Sequence, residues 1–407
     1  MFPTVLASAC SNTDTPALPS AGNTVSTGVG GASAAGTPST VTPSQTAGKS
    51  GSTVTGAGGQ TSIAVPVAGS AAAGSASVAA GSGSAASGSG AAGVTAQAGT
   101  AAAGTTSTPS GAFDYEAQEV TLDADLVVPA GKTVRVGPGT TFKASATEVK
   151  IQVLGELVVE GTADKPASFL ATKTAIRSWH GLVIESGGKL TMKNAKIGGA
   201  SYGLWAMPGS QFSVDSSVID TSFKAAIIQS DGSFTHTRFI ASVPETVSLA
   251  SEVSVDDPNG ALTIMDASPT VTDCQFDGAS TVTDLVRIGG KASPIFDYVY
   301  LHDAHCAFHT YGGTNTSARI SHARIENFSY GFMAYTTKPI VENSVFKGNS
   351  ADFGICLGAT ADNAPALKNN FYSTGEVSLD PSCFNIGIAD AAPAATASAE
   401  AGTKLPF

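Results

Sequence analysis

Between Phe2 and Phe113 the chain contains no aromatic residue, and from position 11 to 112 its only charges are Asp14 and Lys49. A segment this poor in large side chains cannot bury enough apolar area to offset a backbone entropy of about 1–2 kcal/mol per residue, which excludes a folded core there. Basic residues are also scarce: 21 Lys and Arg face 32 Asp and Glu, a net charge of −11. With no basic stripe to neutralise phosphates, nucleic acid is excluded as a partner, and an anionic membrane surface is disfavoured for the same reason. No run of 18 apolar residues occurs, so no segment reads as a membrane-spanning helix. Helical periodicity is missing throughout.

What the chain does have falls into four parts. Residues 1–10 read as a truncated export segment, small and apolar up to Cys10. Residues 11–112 are an Ala/Gly/Ser/Thr linker, expected to be disordered, whose root-mean-square reach is on the order of 50–60 Å. Residues 113–390 carry nearly all the charge and aromatics and read as the folded domain. Residues 391–407 form an Ala-rich C-terminal tail.

The folded part repeats. Nine-residue windows starting at 189, 211, 231, 268, 293, 317, 338 and 364 align without gaps, 20 to 37 residues apart. Their fourth positions are Met192, Val214, Phe234, Val271, Phe296, Ile320, Val341 and Leu367. Their ninth positions are Ile197, Ile219, Phe239, Phe276, Leu301, Ile325, Phe346 and Tyr372. The seventh is mostly small and the sixth mostly polar, suiting a sharp bend where stacked Asn side chains hydrogen-bond along an axis. A second motif follows in most copies, as in Tyr202-Gly203-Leu204-Trp205 and Tyr330-Gly331-Phe332-Met333. Each repeat therefore holds two or three short strands of period 2. Hairpin turns are not repeated among the copies, so each strand pairs with its equivalent one repeat on, giving an all-β parallel solenoid with inward ladders at the fourth and ninth positions.

The stretches Leu126 to Thr140 and Val153 to Thr162, followed by Ala163 to Phe169 and Trp179 to Ile184, resemble the entry coils of right-handed parallel β-helix proteins of the pectate-lyase-like superfamily. That group spans lyases, polygalacturonases, tailspikes and inert surface proteins, so the resemblance implies a fold and leaves activity open. The N-terminal Leu6-Ala7-Ser8-Ala9-Cys10 resembles the lipobox of bacterial lipoproteins, which implies lipidation at Cys10, a membrane anchor and export. Ser11 follows, with no aspartate to signal inner-membrane retention, which implies the outer membrane or cell surface.

Stacking coils about 4.8 Å apart makes a candidate site legible. The tenth position runs Asp277, His302, Glu326, Lys347 and the eighth includes Tyr300 and Arg324. These six residues form one outward patch about 15 Å long, with Asp277 and Glu326 about 10 Å apart, close to the carboxylate separation of an inverting glycosidase. Arg324 or a cation would neutralise a uronide carboxylate, and Tyr300, His302 or Lys347 would take a proton. Against catalysis, alternating charges are what an exposed ladder needs in order to avoid like-charge stacking. The polygalacturonase-like acidic and Gly-His-Asp motifs do not occur as a set. The reading is a tethered surface domain with a structural, adhesive or glycan-binding role; the alternative is a secreted polysaccharide lyase or glycoside hydrolase acting at Asp277–Lys347.

No cofactor is called for. His302, His305, Cys306 and His309 are metal-ligand types, but their spacing is not a zinc signature. In strict alternation Cys306 points inward with Phe308 while His309 points outward. Asp256, Asp257 and Asp303 offer calcium only an incomplete ligand set. Cys356 and Cys383 occupy nearly equal offsets in adjacent coils and are expected to form a disulfide, leaving Cys274 and Cys306 as buried free thiols.

Overall fold

The computed structural model describes residues 112–241, 260–279, 284–310, 317–334, 337–354 and 364–402. Cys10, the linker, Asp256, Asp257 and Cys356 lie outside the described residues.

At the sixth position of all eight windows the chain turns through left-handed backbone. Asn194, Ser216, His236, Asp273, Tyr298, His322, Asn343 and Asn369 have φ between 45° and 55°. Asn, Asp and His tolerate this region because a short polar side chain bonds locally. Asn369 Nδ2 donates to Asn343 Oδ1 at 2.8 Å, so the expected stacking along the axis is present. Each corner joins two short strands, as in Ile340–Glu342 and Val345–Lys347, whose Val341 and Phe346 are buried inward.

Among the described residues the strands form three parallel sheets, of eleven, ten and ten strands. Every neighbour in a sheet comes from the adjacent coil, so the fold is a parallel β-solenoid. One sheet contains the fourth-position ladder and a second the ninth-position ladder. The third contains the second motif of each repeat, such as Ala200–Ala206, Asp284–Gly289 and Cys306–Thr310.

The register follows the repeat alignment residue by residue. Val214 pairs with Met192 and Phe234, and Phe296 with Val271 and Ile320. In the ninth-position sheet Leu301 pairs with Phe276 and Ile325 and is fully buried. Stacked rings run down the interior: Phe239 and Phe276 have centroids 4.6 Å apart and planes 3° apart, and Phe308 and Phe332 are 5.1 Å apart. The mostly small seventh position is a buried column with polar members at Ser217, Thr237, Ser344 and Asn370. Ser217 Oγ accepts from the Ala195 N–H and Ser344 Oγ from the Ala323 N–H, so the corner backbone is satisfied without water.

The tail folds back. Asp390 pairs with Leu367, the Ala394 N–H donates to the Asn370 carbonyl, and the Gly402 N–H donates to the His322 carbonyl. Residues 390–402 thus run along a corner of the solenoid past its last three coils.

Cys274 and Cys306 are buried free thiols, and burial pushes Cys274 up to about 12. Cys383 is buried and disulfide-bonded.

Candidate functional site

The ninth-position sheet brings the six predicted residues together. Gln275, Tyr300 and Arg324 are successive register partners in one outward column; Asp277, His302, Glu326 and Lys347 form the next. What the structure adds is how they are used. Arg238 Nη2 reaches Asp277 Oδ2 at 2.7 Å, and His302 Nε2 and Nδ1 contact Gln275 at 2.8 Å and Asp303 at 2.8 Å. The Tyr300 hydroxyl donates to Glu326 Oε2 at 3.1 Å, while Arg324 and Lys347 lie 2.7 and 3.7 Å from Glu326 Oε1. Partial burial, then the Glu326 charge, pushes Tyr300 up to about 12, so it is no base near neutral pH. Burial raises the Asp277 carboxyl, but the Ala279 N–H and Arg238 outweigh it and hold it below the usual carboxylate range. Asp277, Tyr300, His302 and Glu326 are thus each engaged by another member of the patch or by a neighbour such as Arg238, Gln275 or Asp303. The oxygens of Asp303 are taken by His302 and by Asn327 Nδ2 at 3.0 Å. Among the described residues no group of three or more His, Cys, Asp or Glu side chains is set to hold a metal.

The outward face of the third sheet holds a second constellation, and a bulge creates it. Strand Ala200–Ala206 shifts register against Trp179–Ile184 between Tyr202 and Leu204. The extra residue, Gly203, breaks the period of two and turns Tyr202 and Trp205 to the same side. Gly181 is obligatory opposite the bulge: its φ is +127°, and a Cβ there would lie 1.5 Å from the Tyr202 carbonyl oxygen. The result is a half-exposed aromatic platform. His180 and Tyr202 have centroids 5.3 Å apart, Tyr202 and Trp205 5.1 Å, and His180 and Trp205 6.4 Å. The Trp205 indole donates to Gln229 Oε1 at 3.0 Å, and Gln152 donates to Glu185 at 2.7 Å on the neighbouring coils. Burial, then Lys150, lowers the proton affinity of His180, partly countered by Asp125.

Further along the same columns the face is buried and charged. Trp205 is followed by Ile227, Thr263, Arg287, His309 and Met333. Asp284 and Arg287 are wholly buried and 3.2 Å apart, three residues apart on one side of the strand. Asp284 also meets His305 Nδ1 at 3.2 Å and His309 Nδ1 at 2.8 Å. Burial raises the Asp284 carboxyl, but the two imidazoles and Arg287 outweigh it and hold it well below the usual carboxylate range. Cys306 corrects the alternation-based reading. It is the register partner of Asp284 and Tyr330 and packs with Met333 and Tyr330, apart from the main core, so it faces outward rather than inward with Phe308. His305 and His309 therefore converge on one carboxylate, while His302 stands on another sheet.

No family model, curated protein or solved structure matches this chain.

What the third-sheet face can do follows from its chemistry. Three adjacent rings with amides and a carboxylate at their margin provide an apolar surface edged by hydrogen-bonding groups, the composition of a small-molecule or saccharide site. The available sequence signal was Trp179-His180 and Tyr202–Trp205 in consecutive repeats, but strict alternation puts Tyr202 and Trp205 on opposite faces.

Proposed function

We propose that this chain is a lipid-anchored, cell-surface β-solenoid that binds a saccharide polymer without turning it over. The observation that carries the reading is the half-exposed platform of His180, Tyr202 and Trp205. The C–H bonds of a sugar ring are weakly positive and stack on the negative faces of aromatic rings. Gln152, Glu185 and Gln229 at the rim supply partners for hydroxyls. Several coils contribute to one flat face, which suits a chain of sugars better than an isolated one.

Binding without turnover, rather than the alternative lyase or hydrolase, is supported by the pairing of the Asp277 and Glu326 carboxylates with Arg238, Arg324 and Tyr300. The lipobox-like approach to Cys10 and the linker behind it support an anchored domain held clear of an outer membrane. Polysaccharide titration followed by intrinsic fluorescence tests the binding. Of the chain's two tryptophans, Trp179 is buried and Trp205 sits on the platform, so a ligand-dependent change is expected to vanish in Trp205→Phe. Binding that survives Trp205→Ala and Tyr202→Ala together, or uronide double-bond absorbance appearing with a pectin-type polymer, would overturn the reading.

A further inference from the structure

The tail meets the solenoid at two anchors. At one, Asp390 Oδ2 accepts from the backbone N–H and the side-chain amide of Asn370, at 2.9 and 3.1 Å, and the Ala394 N–H reaches the Asn370 carbonyl. At the other, Gly402 donates to the His322 carbonyl at 2.8 Å, with φ at +106° and a Cβ position 3.2 Å from Arg324 Cβ. Between the anchors the segment bows over a half-open cleft of about 440 Å³. Three consecutive left-handed corner positions, His322, Asn343 and Asn369, line its floor; Phe371 lines one side, and Ser398 and Glu400 come from the strap.

These groups are held in place before any guest arrives. His322 Nδ1 contacts Asp297 at 2.8 Å and its ring stacks on Tyr298 at 4.6 Å, which leaves Nε2 to a guest. Asn369 gives its amide N–H to Asn343 Oδ1, which leaves the Asn343 NH₂ as donor and the Asn369 carbonyl as acceptor. Glu400 adds a carboxylate. The volume lies within the range of ordinary ligand pockets, about 300–1,000 Å³.

We propose that this cleft is a saccharide site, separate from the aromatic platform, that takes a neutral or amino sugar and rejects an acidic one. His322, Asn343, Asn369, Ser398 and Glu400 offer the cleft both donors and acceptors, as a ring of hydroxyls requires, and Phe371 adds an aromatic ring for ring C–H bonds. No lysine or arginine lines the cleft, whereas Glu400 does, so a sugar carboxylate would meet like charge and an ammonium its opposite.

Saturation-transfer NMR on the full chain carrying Trp205→Ala and Tyr202→Ala, which removes the aromatic platform, tests this, with N-acetylglucosamine, glucosamine, galactose and glucuronic acid as probes. Transfer is expected to at least one of the first three and not to glucuronic acid. Asn343→Ala and Glu400→Gln are each expected to weaken the bound sugar about tenfold, the loss of one good hydrogen bond. Glu400 is exposed on the strap, so its replacement leaves the solenoid folded even if Asn343→Ala loosens the corner. With the platform removed, any remaining transfer comes from elsewhere, which separates the cleft from the platform. No transfer to any neutral or amino sugar in this background, equal transfer to glucuronic acid, or transfer that survives both cleft substitutions would each overturn the proposal.

Discussion

Asp284 and His309 sit on adjacent coils with Oδ2 and Nδ1 2.8 Å apart, both buried, on the outward side of a strand. An outward-facing residue of a solenoid ordinarily meets water; here a carboxylate meets two imidazoles and the Arg287 guanidinium instead. Removing one partner from such a group strands the remaining charge, so Asp284→Ala is expected to destabilise the domain by about 3–5 kcal/mol. Because the folded state holds Asp284 below its unfolded value near 3.9, its contribution is present above that pH and is lost as pH falls through the lower folded value. Urea unfolding should therefore show a wild-type advantage that shrinks as the pH falls beneath about 4. A wild-type advantage that grows in acid would contradict the assignment.

Leu301 tests the core. It is fully buried between Phe276 and Ile325, and Leu301→Ala should cost about 2–5 kcal/mol through lost burial and the cavity left behind. Leu301→Asp should prevent its coil from closing, read as lost soluble expression or a lowered thermal midpoint. A loss under about 1 kcal/mol for the alanine variant would mean the site collapses around the gap.

The platform carries a pH signature. His180 titrates below the usual 6.5, so it is uncharged at neutral pH and saccharide affinity should be flat above about pH 7. Affinity should fall only in more acidic solution, as the imidazolium forms. His180→Phe keeps the ring and removes the proton, so its binding should not vary over the same range. A wild-type affinity that rises in acid would be inconsistent with stacking on a neutral ring.

Cysteine mapping separates the thiols. Peptide mass spectrometry of the unreduced protein is expected to give a Cys356–Cys383 cross-link, with Cys274 and Cys306 alkylated only after denaturation. Reduction should cost about 3–4 kcal/mol by the chain-entropy account of the loop that the bond closes. A cross-link from Cys383 to any other cysteine would rule out this pairing.

Anchoring rests on one atom. If Cys10 is lipidated, full-length protein made in a bacterial host should enter the detergent phase, and Cys10→Ser should return it to the aqueous phase. Equal partitioning of the two would exclude the lipid anchor.

The ladders were legible because a solenoid is a translation. A strand that pairs with its own next copy writes its register into the repeat spacing, so Met192 to Leu367 and Ile197 to Tyr372 could be aligned from residue type alone. The corner was legible for a similar reason: its left-handed backbone favours short polar side chains, and seven of the eight corners hold Asn, Asp, His or Ser, Tyr298 being the eighth. For the outward patch from Asp277 to Lys347, membership was legible, but the mutual engagement of its charges was not, since that depends on rotamers and on neighbours such as Arg238 and Asp303. Three things needed the tertiary structure. One inserted residue at Gly203 reverses the sides that alternation assigns, which hid the pairing of Tyr202 with Trp205. The outward burial of Asp284, Arg287 and His309, and the outward placement of Cys306, depend on packing that strand periodicity does not encode. The strap from Asp390 to Gly402 finds its cleft through contacts as much as 80 residues apart, such as Gly402 with His322, which an Ala-rich tail does not announce. Repetition makes local pairing readable from sequence; the extra residue that the third sheet carries from Gly203 onward, as again between Cys306 and Phe308, and the returning tail break strict alternation, and only the folded chain decides them.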